Sequence, residues 1–395
     1  MSETESEQRI ATGAAGKKET ASAGELASRL AGFVDEDARF RGGELPLWSR
    51  LGRGGSGSNR GSVLIPTLAW CIVLSLSAIA LLRFFWHDAR WPLVLLNSFT
   101  LYLYLPAYAI LAYAALTRRR ALAGLSMAMI ACHLVLIWPD LRPATSPATA
   151  TRQSRAVRIY FANVHASNRN LEGILSEARS FDPDVIVLAE MQRWWWRQMI
   201  SRNPLPDYPY GTNLARRNAG DLGVFSRLPV RSMKQIAAGG RFALQADIAV
   251  DDDALRLFAM HSPRPTPDTF DEYQRFWDLV GRAVAADQGP VVVIGDFNAT
   301  QYSRVHRQLQ EGGLRSAHEE RGRGLALSWP NPFPLIRIDQ AFVSPEVQCL
   351  AVQMGEAPGS DHKSLIVEVV VQPPGDRPQA DHSGAEGSKI DPPGD

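Results

Sequence analysis

Cysteine is scarce in this chain of 395 residues: Cys71, Cys132 and Cys349 are the whole complement. The first two fall in long apolar runs, so the rest of the chain holds one thiol and has no disulfide framework. A charge surplus is also missing. The formal net charge is +1, so no whole-chain field draws the protein to nucleic acid. No G-x-S-x-G elbow, no G-x-x-x-x-G-K-[ST] loop and no H-E-x-x-H pair occurs. Their absence argues against the nucleophile-elbow hydrolases, the P-loop nucleotide hydrolases and the helix-borne zinc proteases.

What the chain does have is long apolar runs in one place and alternating patterns in another. Residues 1–60 are rich in Ser, Glu, Gly, Ala and Lys without sustained apolar periodicity, and read as a disordered cytoplasmic tail. Residues 61–140 hold three apolar runs, Val63 to Trp86, Trp91 to Leu116 and Ala121 to Trp138. Each is about as long as a helix needs to cross a hydrocarbon core of ~30 Å. Pro66, Pro92 and Pro106 are tolerable where neighbouring helices satisfy freed backbone groups. Trp70, Trp86, Trp91 and Trp138 fall near run ends, where interfacial aromatics belong. The plainer reading is a buried helical hairpin. Arg41, Arg50, Arg53 and Arg60 precede the first run, and Arg118, Arg119 and Arg120 join the second to the third. The positive-inside rule puts both in the cytoplasm, and three crossings then put everything after Trp138 outside.

A Pro/Thr/Ala linker at 141–154 leads to residues 155–372, and a Pro- and Gly-rich tail at 373–395 reads as disordered. The third part alternates strand-like and helix-like segments, the pattern of α/β layers. "LEGILSEARSF" puts Leu171, Ile174, Leu175 and Ala178 on one stripe, and "EYQRFWDLVGRAVA" does so with Tyr273, Phe276, Trp277, Val280 and Val284. "FALQADIAV" and "LRLFAMH" suit a hairpin turning at Asp251 to Asp253, whose "DDD" reads as a solvated tip.

Strand after strand in this part ends in a polar residue. "VVVIGDFNAT" delivers Asp296 and Asn298, two apart and therefore on one face, with Phe297 turned the other way. The plain alternative is an Asx-type turn after Gly295. "FANVH" offers Asn163, "DVIVLAE" ends on Glu190, and "LRLFAMH" ends on His261. "RIDQAFVS" carries Asp339, and "SDHKSLIVEV" opens with Asp361 and His362. One such residue is ordinary; eight imply that they meet at one sheet edge. Carboxylate and amide oxygens without thiolates suit Mg²⁺ or Mn²⁺, and the histidines add groups that move protons near neutral pH. Metal-assisted attack of water on a phosphoester fits this inventory.

The order Asn, Glu, His, Asp-x-Asn, Asp, Asp-His resembles the endonuclease/exonuclease/phosphatase superfamily, which includes DNase I-like nucleases, inositol phosphatases and sphingomyelinases. "GVFSRLP", "HSPRP", "YSRVHRQL" and "LSWP" resemble a membrane-attached bacterial branch. That branch includes three-span enzymes linked to glycopeptide resistance and thought to act on undecaprenyl phosphates outside the cell. The resemblance implies a DNase I-like four-layer sandwich, two packed mixed β-sheets flanked by helices, preceded by three transmembrane helices. It implies Glu190 as main metal ligand with Asn163 and Asp361 beside it. Asp296 would position or deprotonate water, and Asn298 would hold the phosphate or orient that water. Asp339 would pair with His362, while His362 and His261 would contact phosphoryl oxygens or assist the leaving group. Gln340 and Lys363-Ser364 depart from the common pattern at positions that touch substrate contacts, not the chemistry.

Three functions compete: a phosphatase or pyrophosphatase on lipid-linked phosphate, a tethered nuclease, and a catalytically silent binding module. The intact set of polar positions argues against the third. Residues 155–372 carry 24 Lys plus Arg against 25 Asp plus Glu, no surplus for a phosphate backbone, which favours the lipid-linked substrate over nucleic acid. No protein partner is evident. "RWWWR", Arg193 to Arg197, suggests substrate or membrane contact, against a core helix as the plain reading. His165, His306 and His318 read as structural, and Arg216 and Arg217 as an exposed charged loop.

Overall fold

The computed structural model describes residues 60–141, 155–212, 221–238, 241–287 and 289–372. The expected tails and linker lie outside them, residues 60 and 141 apart, as do Arg216 and Arg217. Contacts divide the chain after Thr67, within the first helix; apart from the opening residues of that helix, all that follows concerns the second unit, Leu68–Asp395.

Five helices come first: α1 (Arg60–Trp86), α2 (Trp91–Ser98), α3 (Thr100–Leu103), α4 (Leu105–Leu116) and α5 (Arg120–Leu141). Among the described residues, two helices are long and apolar enough by themselves to cross a membrane, over Val63–Trp86 and Arg120–Leu141. The second apolar run differs from a straight span. It bends by 70° between Ser98 and Thr100, and gives a third span only if the bent pair is one crossing. Polar pairing explains the bend. The Arg83 guanidinium reaches from α1 to donate to Asn97 Oδ1 (3.0 Å) and Thr100 Oγ1 (2.8 Å), on either side of the break. Pro92 and Pro106 open α2 and α4, where a missing N–H costs nothing.

Two six-stranded mixed sheets follow. The first has the order β11-β12-β1-β2-β4-β3, with β1 (Ala156–Asn163), β2 (Val185–Ala189), β3 (Tyr210–Gly211), β4 (Leu222–Ser226), β11 (Val347–Met354) and β12 (Leu365–Val371). The second has the order β5-β6-β7-β8-β10-β9, with β5 (Val230–Ala238), β6 (Arg241–Val250), β7 (Asp253–His261), β8 (Val291–Asp296), β9 (Arg315–Ser316) and β10 (Asp339–Val343). In each sheet the central pair is parallel, β1 with β2 and β7 with β8. The crossovers are α6 (Leu171–Ser180) and α8 (Phe270–Ala285), the two amphipathic stripes read from sequence. Helix α7 (Arg193–Arg202) lies between β2 and β3, while α9 (Arg304–Glu311) and α10 (Ala317–Arg321) precede β10.

The strands are apolar on both faces because both are covered. Val157, Ile159 and Phe161 of β1 meet Leu257, Val292 and Ile294 between the sheets. Tyr160 and Ala162 face the other way, under Ile174 and Leu175 of α6 and Trp195 of α7. Val291 and Val293 of β8 lie in the opposite outer layer with Phe276, Trp277 and Phe297, and Val94 of α2 joins that layer. This is the four-layer DNase I-like sandwich. Trp195 is fully buried and donates Nε1–H to the Asn168 carbonyl at 3.1 Å, so the core reading holds for it. Trp194 and Trp196 flank it half-buried, with the Arg169 guanidinium 5.1 Å over the Trp194 ring.

Candidate active site

Strand parity aims most of the site. Residues 157, 159 and 161 of β1 face the inter-sheet core, so Asn163, the last residue of the strand, lies on that side. Leu255, Leu257 and Ala259 do the same for His261, Val292 and Ile294 for Asp296, and Ala341 and Val343 for Asp339. Antiparallel pairing sets Asp339 opposite Asp296, and parallel pairing sets His261 beside it. Polar residues therefore replace apolar ones at one mouth of the sandwich. Gly295 is required just before Asp296: a Cβ there would lie 2.1 Å from the Met260 carbonyl oxygen.

Glu190 breaks the parity rule. Alternation after Val185, Val187 and Ala189 would turn it toward the helices, but its backbone is left-handed at φ 60°. That turn, costly for a non-glycine residue, brings the carboxylate back to the mouth. There Glu190 Oε2 accepts from the Ala166 N–H at 2.8 Å and Oε1 from Asn163 Nδ2 at 3.2 Å. Burial pushes its pKa up, but Ala166, His261, Asn163 and Arg264 outweigh this and hold the carboxylate below its ordinary value.

The Asn163 amide is the hub. Its Nδ2 donates to Glu190 and to Asp296 Oδ2 (3.1 Å), and its Oδ1 accepts from the His165 N–H (3.0 Å). Expected beside the metal, Asn163 presents its amide hydrogens, not its oxygen, to the two carboxylates. Around this hub stand the Nε2 atoms of His261, 3.7 Å from Glu190 and 3.9 Å from Asp296, and of His362, 3.8 Å from Asp296. Six of the eight expected residues, Asn163, Glu190, His261, Asp296, Asp339 and His362, are joined this way. Asn298 lies one step out. Its N–H donates to Asp296 Oδ1 at 2.9 Å, the Asx turn itself, and its Nδ2 donates to the Ser262 carbonyl. Asp361 accepts from Trp329 Nε1 at 3.2 Å and lies 3.8 Å from His165 Nδ1.

Each histidine has a carboxylate behind it. His362 Nδ1 lies 2.9 Å and 3.2 Å from the two oxygens of buried Asp339. Burial lowers the imidazole pKa, but Asp339 and then Asp296 more than offset it, raising His362 to about 10. His261 Nδ1 lies 2.6 Å from Asp221 Oδ2. Asp221 was not among the expected residues. Its signal is subtle: β4 runs antiparallel to β2, so the start of β4, not its end, reaches the same edge. Arg264 was missed too, although it lies in "HSPRP"; its guanidinium approaches Glu190 Oε1 at 3.7 Å.

The donor set fits a hard divalent cation. Glu190 and Asp296 turn carboxylate oxygens onto one shared amide, and two carboxylates this close call for a neutralising charge. Cys349, the thiol of this domain, is buried in the inter-sheet core. Asp296, Asp339 and His362 also place ligand atoms within 4.8 Å of one another. In that set, however, Asp339 spends both oxygens on His362 Nδ1, which commits it to the imidazole.

Two packed mixed sheets with this mouth of carboxylates and imidazoles define a phosphoester hydrolase of DNase I-like fold. The chain belongs to the endonuclease/exonuclease/phosphatase family, whose model matches residues 160–362, and the hydrolases of that family depend on a divalent cation. Several solved structures are similar in fold. A humanized D. rerio TDP2 is 16% identical, with 54% of this chain and 98% of that one covered at a TM-score of 0.45. A family protein from Bacteroides vulgatus is 18% identical, with 55% and 100% covered at 0.46. A mannosyl-6-phosphatase from Bacteroides thetaiotaomicron is 18% identical, with 54% and 99% covered at 0.43. No curated protein matches the sequence significantly.

Proposed function

We propose that this protein is a membrane-anchored phosphatase or pyrophosphatase that hydrolyses lipid-linked phosphate outside the cytoplasm, with Mg²⁺ or Mn²⁺ as cofactor. The observation that carries the hydrolase reading is the convergence of Glu190, Asp296, His261 and His362 on the Asn163 amide. Glu190 is the residue assigned first to the cation, with Asp361 as its companion, and Asn163, expected beside them, orients the carboxylates through its amide hydrogens. A divalent cation there supplies positive charge that neutralises phosphoryl oxygens as the attacking bond forms.

The chain's own residues do the rest. Asp296, fixed by the Asn298 N–H, orients the attacking water and takes its proton as oxygen bonds to phosphorus. His362, kept cationic by Asp339 behind it, holds negative charge on the phosphoryl oxygens. His261, oriented by Asp221, delivers a proton to the departing oxygen as its bond to phosphorus breaks. The Asn298 side chain is assigned to the phosphate.

Membrane anchoring rests on the apolar helices and on where their ends lie. The C-terminal end of α1 reaches the catalytic domain through Arg83, which donates to the Tyr302 carbonyl at 2.9 Å. The end of α5 reaches it through Asp140, paired with Arg337 at 3.0 Å. Two successive long helices that both end at the domain need a return crossing between them, which the bent pair supplies. That supports three spans and, with the arginine distribution, an outer active site. The balanced charge of residues 155–372 favours lipid over nucleic acid, and tethered nuclease action is the second reading.

The test is full-length protein in detergent, offered undecaprenyl pyrophosphate and supercoiled DNA in parallel, with Mg²⁺ and with EDTA. Phosphate released from the lipid, abolished by EDTA and by Asp296→Ala, is the expected result. DNA nicking with no lipid turnover reverses the ranking.

A further inference from the structure

The segment Ser328–Arg337, "SWPNPFPLIR", carries an apolar tip that the site chemistry does not use. Phe333 is 80% exposed and Leu335 45%. Among the described residues after the membrane helices, only Ile200 and Tyr210 are other large hydrophobics left open to this degree. A core-building rule has no place for Phe333 at that tip.

The segment is a built hairpin, not a loose loop. Trp329 bridges Ile336, and the Leu335 and Ile336 N–H groups donate to the Trp329 carbonyl at 2.8 and 3.0 Å. Its root grips the active site. Asn331 donates its N–H to the Asp361 carbonyl at 2.7 Å, Trp329 Nε1 meets the Asp361 carboxylate, and Ser328 Oγ accepts from the Asp339 N–H at 3.1 Å. Its far side grips the helices. Tyr102 of α3 donates its hydroxyl to the Leu335 carbonyl at 3.1 Å, and Arg337 pairs with Asp140 at the end of α5. The tip offers few free donors: Pro330, Pro332 and Pro334 have no N–H, those of Asn331 and Leu335 are bonded, and of the tip's N–H groups that of Phe333 alone lacks a protein acceptor.

We infer that the Trp329–Ile336 hairpin is a membrane finger: Phe333 and Leu335 sit in the same bilayer as the helices, beside the catalytic mouth. The inference rests on the anchored-phosphatase reading above and deepens it. The occupant of this surface is the lipid bilayer, because Tyr102, just past the bend of the helix pair, holds the hairpin beside those helices by the Leu335 carbonyl. The substrate class follows. It is a phosphorylated lipid whose chain stays in the membrane while its phosphate lifts along the hairpin to His362 and Asp361.

Two measurements on the full chain in proteoliposomes test this. The first places a fluorophore on Phe333→Cys after Cys71 and Cys132 are changed to Ser; Cys349 is buried and does not label. Nitroxide-bearing lipids should quench this probe and leave one at Asp252→Cys, on the exposed β6–β7 turn, untouched. Equal accessibility of both probes to an aqueous quencher overturns the inference. The second compares Phe333→Asp/Leu335→Asp with the parent on undecaprenyl phosphate in the bilayer and on a water-soluble aryl phosphate. A loss of about tenfold or more in kcat/KM on the lipid, with the soluble substrate unchanged, is expected. Equal losses on both, or on neither, overturn it. A parent protein that cleaves the soluble ester but no lipid sinks the function proposed above instead, and the quenching result then stands separately.

Discussion

Two clusters of buried charge sit at opposite ends of one short segment, and they are built on opposite principles. At its start, Asp296 joins Glu190, and two carboxylates converge with a single amide between them. At its end, Gln301, Tyr302 and Arg304 meet the apolar helices, and there Asp140, Asp88 and Arg83 each have several hydrogen-bond partners. Asp140 accepts from Arg337, Gln301 and the Tyr302 hydroxyl; Asp88 accepts from the Arg304 N–H and from Asn97; Arg83 meets two side chains and the Tyr302 carbonyl. A buried charge must be compensated or its cost is felt by the whole fold. The helix-end cluster is compensated from within the chain, as a rigid joint requires. The mouth cluster is left with excess negative charge, as a cation-binding reactive site requires. The same residue types therefore mean different things, and the hydrogen-bond account separates them.

The contrast is open to attack at several points, beginning with the largest effect. Chelation by EDTA, or Asp296→Ala, should reduce phosphate release by roughly 10³-fold or more with the fold retained by circular dichroism. Activity that survives both means that the mouth is not the reactive centre. Glu190→Gln should cost about as much activity and lower the melting temperature at neutral pH, because the Ala166 N–H, His261, Asn163 and Arg264 favour the charged carboxylate in the fold. An unchanged or higher melting temperature would show that these contacts do not stabilise the charge.

Asp140→Ala tests the other cluster. It removes the ion-pair partner of Arg337, the two side chains being at most 2% exposed, and should destabilise by about 3–5 kcal/mol in denaturant unfolding. The double variant Asp140→Leu/Arg337→Leu should recover much of that loss; no recovery would mean that the pair does more than cancel its own burial. Asp221→Asn should lower kcat by about 10²-fold while hardly moving KM, and an unchanged kcat would remove Asp221 from the mechanism.

The smallest effect concerns protons. His318 has its pKa pushed down to about 4, by burial first and then by the Arg337 charge. A depressed imidazole favours the neutral folded form, so this contribution is whole above the ordinary value of 6.5 and drains as pH falls toward 4. His318→Gln should flatten the acid limb of the stability curve across that window. An unchanged limb would mean that His318 already protonates freely in the folded chain.

The difference between the clusters also marks what was legible in the residues. Asp296, Asn163, His261 and Asp339 were readable because each extends a strand whose inward parity is written in its apolar residues. Asp221 was not readable that way, since it precedes its strand and only antiparallel pairing with β2 brings it to the edge. Nor did the apolar runs reveal the 70° bend, because hydropathy does not register that Arg83 pairs with Asn97 and Thr100 across the break.

By itself the sequence determined the layers, the two crossover helices and the side on which Asn163, His261, Asp296 and Asp339 lie, all consequences of residue spacing along one chain. Only the tertiary structure decided the rest. It turned Glu190 back through a left-handed residue, set a carboxylate behind each imidazole, and locked the segment after Asp296 onto the helix ends. Those outcomes depend on which groups approach through space, and the balance of charge and hydrogen bonds that selects them is set by neighbours distant in the chain.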